Sequence, residues 1–251
     1  MEAELLSKKW TIIGVVICLL AFTAAAMAYS PLKRLWYSYL NGYATEHYVQ
    51  QMMAFNARKD RNIPNHSVLF YGDSLVQGLS VTAASPMAVN YGIGHAGSAE
   101  ILSQLESHHN LDRAAAVIMA FGINDIARGN PEVVSSAYRK SLELIPSSIP
   151  VIISLIMPVD EENLGRTGIS DTVTSVNQSL DVLCSENKRV LCVNAGQLLM
   201  ESGDQLSDQY HVGDGLHLNA RGNAVWLEQL GIAVDQATQK ADADNVQTPP
   251  R

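Results

Sequence analysis

The stretch VLFYGDSLVQG, residues 68–78, runs four apolar residues straight into Gly72, Asp73, Ser74 and Leu75. A continuous rather than alternating apolar run is how a strand covered on both faces reads, and such strands belong to parallel sheets. Glycine and a polar pair directly after the run mark its carboxyl end, where open α/β sheets place their ligands. Ser74 is therefore either a nucleophile at a sheet edge or an ordinary turn residue.

Four more runs of this kind follow: MAVNYG (87–92), AAAVIMAF (114–121), VIISLIM (151–157) and RVLCVN (189–194). The segments between them are long enough for helices. In residues 171–186, Val173, Val176, Leu180 and Leu183 share one helical face, and Asp171 is placed to cap its start. Alternating strands and helices imply right-handed crossovers and a three-layer α/β/α sandwich around a five-stranded, mostly parallel sheet.

Composition narrows the options. A chain of 251 residues, 47% hydrophobic and 17% charged, can bury one substantial core. With Lys+Arg at 17 against Asp+Glu at 25, the net charge is −8 and no basic footprint for nucleic acid is expected. Cys18, Cys184 and Cys192 form no metal-knuckle spacing, although Cys184 and Cys192 can pair in an oxidising compartment.

The amino terminus carries its own signal. TIIGVVICLLAFTAAAMA, residues 11–28, has no charge, follows Lys8 and Lys9, and is bracketed by Trp10 and Tyr29. Its eighteen residues would cover roughly 27 Å as a helix, close to bilayer thickness. A retained membrane anchor is expected for residues 1–30, with a cleaved signal peptide ending at Ala26-Met27-Ala28 as the alternative. Either places the main domain outside the cytoplasm, with the amino end cytoplasmic by default. Residues 31–64, with Leu32, Leu35, Trp36 and Tyr39 at helical spacing, are expected to form a linking helix. The main domain is expected over 65–238, and the tail 239–251 has no apolar face to order it.

The residues just after each apolar run carry the chemistry. Gly72-Asp73-Ser74, Gly92-Ile93-Gly94-His95 and Gly122-Ile123-Asn124-Asp125 bring a hydroxyl, backbone N–H donors and a side-chain amide to one sheet edge. Acyl transfer needs that combination, because its tetrahedral intermediate requires pre-placed neutral donors for the oxyanion. Each turn taken alone is unremarkable. A base is offered twice, by Asp208 with His211 and by Asp214 with His217, each pair three residues apart. The second is preferred, because Asn219 directly after it suits the N-cap of a helix carrying Ala224, Leu227 and Leu230 inward. His211 is then left to loop packing. A metal held by all four residues is disfavoured, since Gly213 and Gly215 break any common helical face.

Taken together, GDSL (72–75), NYGIG (90–94), GIND (122–125) and DGLHLNARG (214–222) resemble the four blocks of the GDSL, or SGNH, hydrolases. The resemblance spans residues 67–233 in the right order. It implies a flavodoxin-like hydrolase fold and a serine esterase needing no metal or organic cofactor. Ser74 would be the nucleophile, His217 the base and Asp214 its orienting carboxylate. Asn124 and backbone amides would form the oxyanion hole. Gly94 is nominated as the amide donor of the second block, whereas an ungapped register selects the amide of His95. The substrate would be a small acyl ester of a lipid, thiol or carbohydrate. A membrane-tethered O-acyltransferase would use the same residues, and a silent envelope binding module would keep only the fold. Asp73 and Asp125 are expected to brace loops, and Asp160, Glu161, Glu162 and Arg166 to line the mouth. His95, His108 and His109 are read as packing or surface residues. Oligomeric state is not legible.

Overall fold

A computed structural model describes the backbone of residues 2–200 and 203–247; the side chains at 2–8, 11, 26–32, 34–41 and 242–247 lie outside the description. In chain order the elements are α1 (Glu2–Asp60), β1 (Val68–Gly72), α2 (Ser74–Gln77), β2 (Ala88–Asn90), α3 (Ser98–Ser107), β3 (Ala116–Ala120), α4 (Ile123–Ala127) and α5 (Glu132–Leu144). They continue as β4 (Val151–Ser154), α6 (Glu161–Leu164), α7 (Ile169–Glu186), β5 (Val190–Val193) and α8 (Ala220–Gln247).

All five strands are parallel, in the order β2-β1-β3-β4-β5. The chain starts one strand in from an edge, moves out to that edge, then returns across β1, so the strand order reverses beside β1 and β3. Their carboxyl ends flank the switch point at which such sheets bind ligands. β1, β3 and β4 are buried along their whole length, which accounts for their unbroken apolar sequences. On one face Phe70, Ile118 and Ile152 pack with Trp226, Leu230, Ala233 and Val234 of α8. On the other, α3, α5 and α7 lie side by side.

Several boundaries differ from the sequence expectation for identifiable reasons. The fourth strand stops at Ser154, because both the N–H and C=O of Ile156 are taken by the side-chain amide of Asn177, each at 2.9 Å. Helix α7 begins at Ile169 behind Gly168, whose φ of 78° is left-handed, so Asp171 is not its cap. Glu161 performs part of that task by accepting the Ser170 N–H at 2.8 Å. Asn219 does cap α8, its Oδ1 accepting from Arg221 and Gly222 at 2.9 and 3.2 Å. The buried stripe of α8 is Trp226, Leu230, Ala233, Val234 and Ala237; Ala224 is exposed and Leu227 half-buried. The Trp226 indole sets that phase by donating to Ser154 Oγ at 3.0 Å. The tail read as unordered continues α8 to Gln247, and residues 248–251 lie outside the described part.

The chain divides into two compact units, Met1–Tyr48 and Val49–Arg251. The expected anchor and linking segments form one helix, α1, rather than two elements, and it ends at Asp60. Among the described residues no helix is long and apolar enough to cross a membrane. The expected span of 11–28 extends over side chains outside the description, as do Leu32, Leu35, Trp36 and Tyr39. Residues 12–25 are described, and Ile12, Val15, Ile17, Leu20 and Phe22 among them are exposed. Cys184 of α7 and Cys192 of β5 form a disulfide, with Cα atoms 5.9 Å apart, and Cys18 is free.

Candidate active site

The turn after β1 admits only glycine at 72, since a Cβ there would lie 2.3 Å from Val76 Cγ2 and 2.4 Å from Ala120 O. Asp73 caps the short helix α2, its Oδ1 accepting the Leu75 N–H at 2.9 Å. Ser74 opens that helix. Its amide has no acceptor among the described residues, as expected for a first helical turn. Asp73 is buried, and burial pushes its carboxyl up to about 7 against the Leu75 hydrogen bond, which pulls the other way.

Ser74 Oγ lies 2.9 Å from His217 Nε2, and His217 Nδ1 lies 2.7 Å from Asp214 Oδ2. The second Asp214 oxygen accepts the backbone N–H of Leu216 at 3.0 Å and of His217 at 2.9 Å. Partial burial acts to raise the Asp214 pKa, but the hydrogen bonds from the His217 ring and these two amides hold the carboxyl below its ordinary value. With the His217 and Asp214 side chains 43% and 45% exposed, the pair is screened by solvent, so its value is orientation more than charge.

The loop presenting this pair is built on His211. The His211–Leu218 bridge closes it, with Val212 N–H on His217 O at 2.9 Å and Asn219 N–H on Tyr210 O at 2.8 Å. Inside, His211 Nδ1 accepts from Gly213 and Gly215 N–H at 3.0 and 3.2 Å. That leaves the proton on Nε2, which faces Asp208 at 3.1 Å and Asp160 at 3.4 Å. Asp160, Asp208 and His211 converge as a metal-ligating group would. The protonated Nε2 is nevertheless a donor and has no lone pair for a cation, so the cluster reads as a loop brace. The four-residue metal set is not assembled, because Asp214 pairs with His217 and His217 faces Ser74 instead. Asp160, expected at the mouth, is buried and caps α6 through Glu162 and Asn163 N–H. Glu161 is spent on α7, as described above.

The second and third blocks meet through Asn124 and Asp125. Gly94, nominated as oxyanion donor, gives its N–H to Gln77 Oε1 at 2.9 Å and is not free for that task. The next residue differs. His95 has φ 64°, a left-handed conformation that side chains other than glycine seldom adopt, and its amide has no acceptor among the described residues. The His95 carbonyl accepts from Arg128 Nη2 at 2.5 Å. Asn124 donates one amide hydrogen to Ala96 O at 2.9 Å, which fixes the carboxamide, and its second hydrogen has no acceptor among the described residues. Asp125 ties the same loop to α3 by accepting both the N–H and the hydroxyl of Ser98 at 2.9 Å. The bracing roles expected of Asp73 and Asp125 match these contacts. His108 is buried against Tyr71 and His95 is exposed. Gln77 and Arg128 had no motif to announce them.

The sequence profile of the GDSL-like Lipase/Acylhydrolase family matches residues 70–225, and the chain belongs to this family of ester-bond hydrolases. No curated protein matches it. Among solved structures, a Streptococcus pneumonia protein described as a candidate platelet activating factor is 21% identical with a TM-score of 0.70, covering 78% of this chain and 96% of that one. A GDSL-like lipase from Bacteroides thetaiotaomicron is 19% identical at TM-score 0.65, covering 74% and 98%. An acetyl xylan esterase from Geobacillus stearothermophilus is 15% identical at TM-score 0.54, covering 67% and 94%. At these identities the likeness is one of fold.

Proposed function

We propose that the protein is a serine esterase acting on a short acyl ester, with Ser74 as nucleophile, His217 as general base and Asp214 as orienting carboxylate. The observation that carries the reading is the unbroken chain from Ser74 Oγ through the His217 ring to Asp214, at 2.9 and 2.7 Å. The Asp214 carboxylate accepts from Nδ1, so Nε2 is left with its lone pair toward the hydroxyl. His217 takes the Ser74 proton as Oγ attacks the ester carbonyl, and returns it to the leaving alcohol. Water, deprotonated by His217, then cleaves the acyl-enzyme. The oxyanion rests on the second Asn124 hydrogen and on the amides of Ser74 and His95, with His95 replacing Gly94 because the latter is occupied. Each such donor contributes roughly 3 kcal/mol to lowering the barrier.

We also propose that the catalytic domain lies outside the cytoplasm, tethered by residues 11–28. Two observations support this: the exposed apolar side chains within 12–25, and the Cys184–Cys192 disulfide, a bond that persists in oxidising compartments. Candidate substrates are lipid, thiol and carbohydrate acyl esters, and a sugar hydroxyl replacing water would make the same site an O-acyltransferase. The intact hydrogen-bond chain argues against a silent binding module.

The test is hydrolysis of p-nitrophenyl acetate together with labelling by a fluorophosphonate. Ser74→Ala and His217→Ala are expected to lose both turnover and labelling, while His211→Ala retains measurable turnover. Labelling of Ser74→Ala at the wild-type level refutes the assignment.

A further inference from the structure

The loop that carries the His95 amide is gripped at its base by the last turn of α1, which lies outside all four sequence blocks. Asn56, 1% exposed, donates through Nδ2 to Tyr91 O and to Gln104 Oε1, each at 3.0 Å. Lys59 Nζ donates to Asn90 O and sits 4.8 Å over the Tyr91 ring. Asp60, fully buried, accepts from the Tyr91 hydroxyl at 3.2 Å and from the His109 N–H at 2.8 Å. The Tyr91 ring is held in turn between Tyr71 and His108, at centroid distances of 5.2 and 4.5 Å.

From there the contacts run toward the nucleophile. Asn90 Nδ2 donates to Val76 O at 2.7 Å and Leu79 O at 3.0 Å, so the strand end is joined to the turn of α2. Its Oδ1 accepts the Gly92 N–H at 2.8 Å, and Gln77 Oε1 takes the Gly94 N–H. The His95 amide comes next in the chain. β2 is three residues long, half-buried, and paired on one side only, so its ladder alone holds the loop weakly. A buried hydrogen-bonded network resists displacement as a unit.

We infer that the last turn of α1, through Asn56, Lys59 and Asp60, is a positioning element for the oxyanion loop, with Asn56 as its central residue. The inference rests on the reading of the His95 amide as an oxyanion donor. It makes the segment before the first block part of the catalytic apparatus, acting through Asn90 and Tyr91 rather than by touching substrate.

The experiment uses the full chain and p-nitrophenyl acetate. Asn56→Ala is expected to lower kcat by about 10- to 100-fold while KM stays within about threefold, since a small displacement of a donor affects the transition state most. Affinity for an aryl boronic acid, which forms a tetrahedral adduct on Ser74, falls in parallel. Arg189→Ala is the control. Its guanidinium holds the carbonyls of Leu142, Pro146 and Ile149 at the opposite end of the sheet, so the change lowers Tm without lowering kcat. Should Asn56→Ala fail to fold, Lys59→Met is read by the same criteria. An unchanged kcat in the folded variant, or an equal kcat loss in Arg189→Ala, overturns the inference. A wild-type protein that neither hydrolyses the ester nor takes up the fluorophosphonate is a separate outcome: it removes the esterase reading, and the inference with it.

Discussion

Replacing Asp214 by asparagine tests the site most sharply, because the structure dictates which way the new amide faces. One Asp214 oxygen accepts two backbone hydrogens, from Leu216 at 3.0 Å and His217 at 2.9 Å. The carboxamide of Asp214→Asn has a single oxygen, and an NH2 group turned toward two N–H donors would clash with both, so the oxygen stays there. The NH2 then faces His217 Nδ1, where the carboxylate stood at 2.7 Å, and Nδ1 is forced to accept. The ring proton moves to Nε2, which now donates toward Ser74 Oγ across the 2.9 Å contact and can no longer take its proton. A wrong tautomer of this kind costs about 10⁴ in kcat, or about 5.4 kcal/mol of transition-state stabilisation. Stability should change by less than about 1 kcal/mol, because the two backbone contacts survive and the pair is solvent-screened. The assay is steady-state hydrolysis of p-nitrophenyl acetate between about pH 6 and 9, with Tm measured alongside. Turnover within tenfold of wild type would falsify the tautomer argument and the role assigned to Asp214.

Further outcomes follow from the same contacts. His95→Gly relieves a left-handed residue, worth about 1–2 kcal/mol, against about 0.5–1 kcal/mol of extra chain entropy, so stability is expected to rise slightly. The amide remains, so kcat should hold within about threefold; a tenfold fall would mean that the imidazole itself takes part. Asp73→Asn keeps an acceptor for the Leu75 N–H but removes the buried charge. Because the folded-state pKa is raised to about 7, the native state binds the proton more readily than the unfolded chain, whose carboxyl titrates near about 4. The cost of the carboxylate is thus absent below about pH 4, grows up to about 7 and is complete above it. Asp73→Asn should raise Tm more at about pH 8 than at about pH 5, and an equal shift at both would contradict the burial argument.

The parallel sheet was readable in the sequence because β1, β3 and β4 are covered on both faces and so leave unbroken apolar runs. Ser74 and Asn124 could be nominated because each follows an apolar run directly, and Asp214 with His217 because they stand three residues apart ahead of a helix, spacings that local sequence carries. The obstacle to the nominated role of Gly94 is non-local. Its N–H is taken by Gln77, seventeen residues earlier, and no property of NYGIG encodes that contact. On α8 Leu230 is buried as the sequence reading expected, and Trp226 joins it through the indole bond to Ser154, 72 residues away.

The sequence by itself therefore determined the order of strands and helices, the residue types at the sheet edge and the pairing of Asp214 with His217. These depend on periodicity and on spacings of a few residues. Tertiary structure alone decided that the Gly94 amide is taken by Gln77 while that of His95 has no acceptor among the described residues, and how Asn56 and Asp60 reach the base of the second block. Those outcomes depend on hydrogen bonds between residues far apart in the chain, which form because burial penalises a donor or acceptor left without a partner.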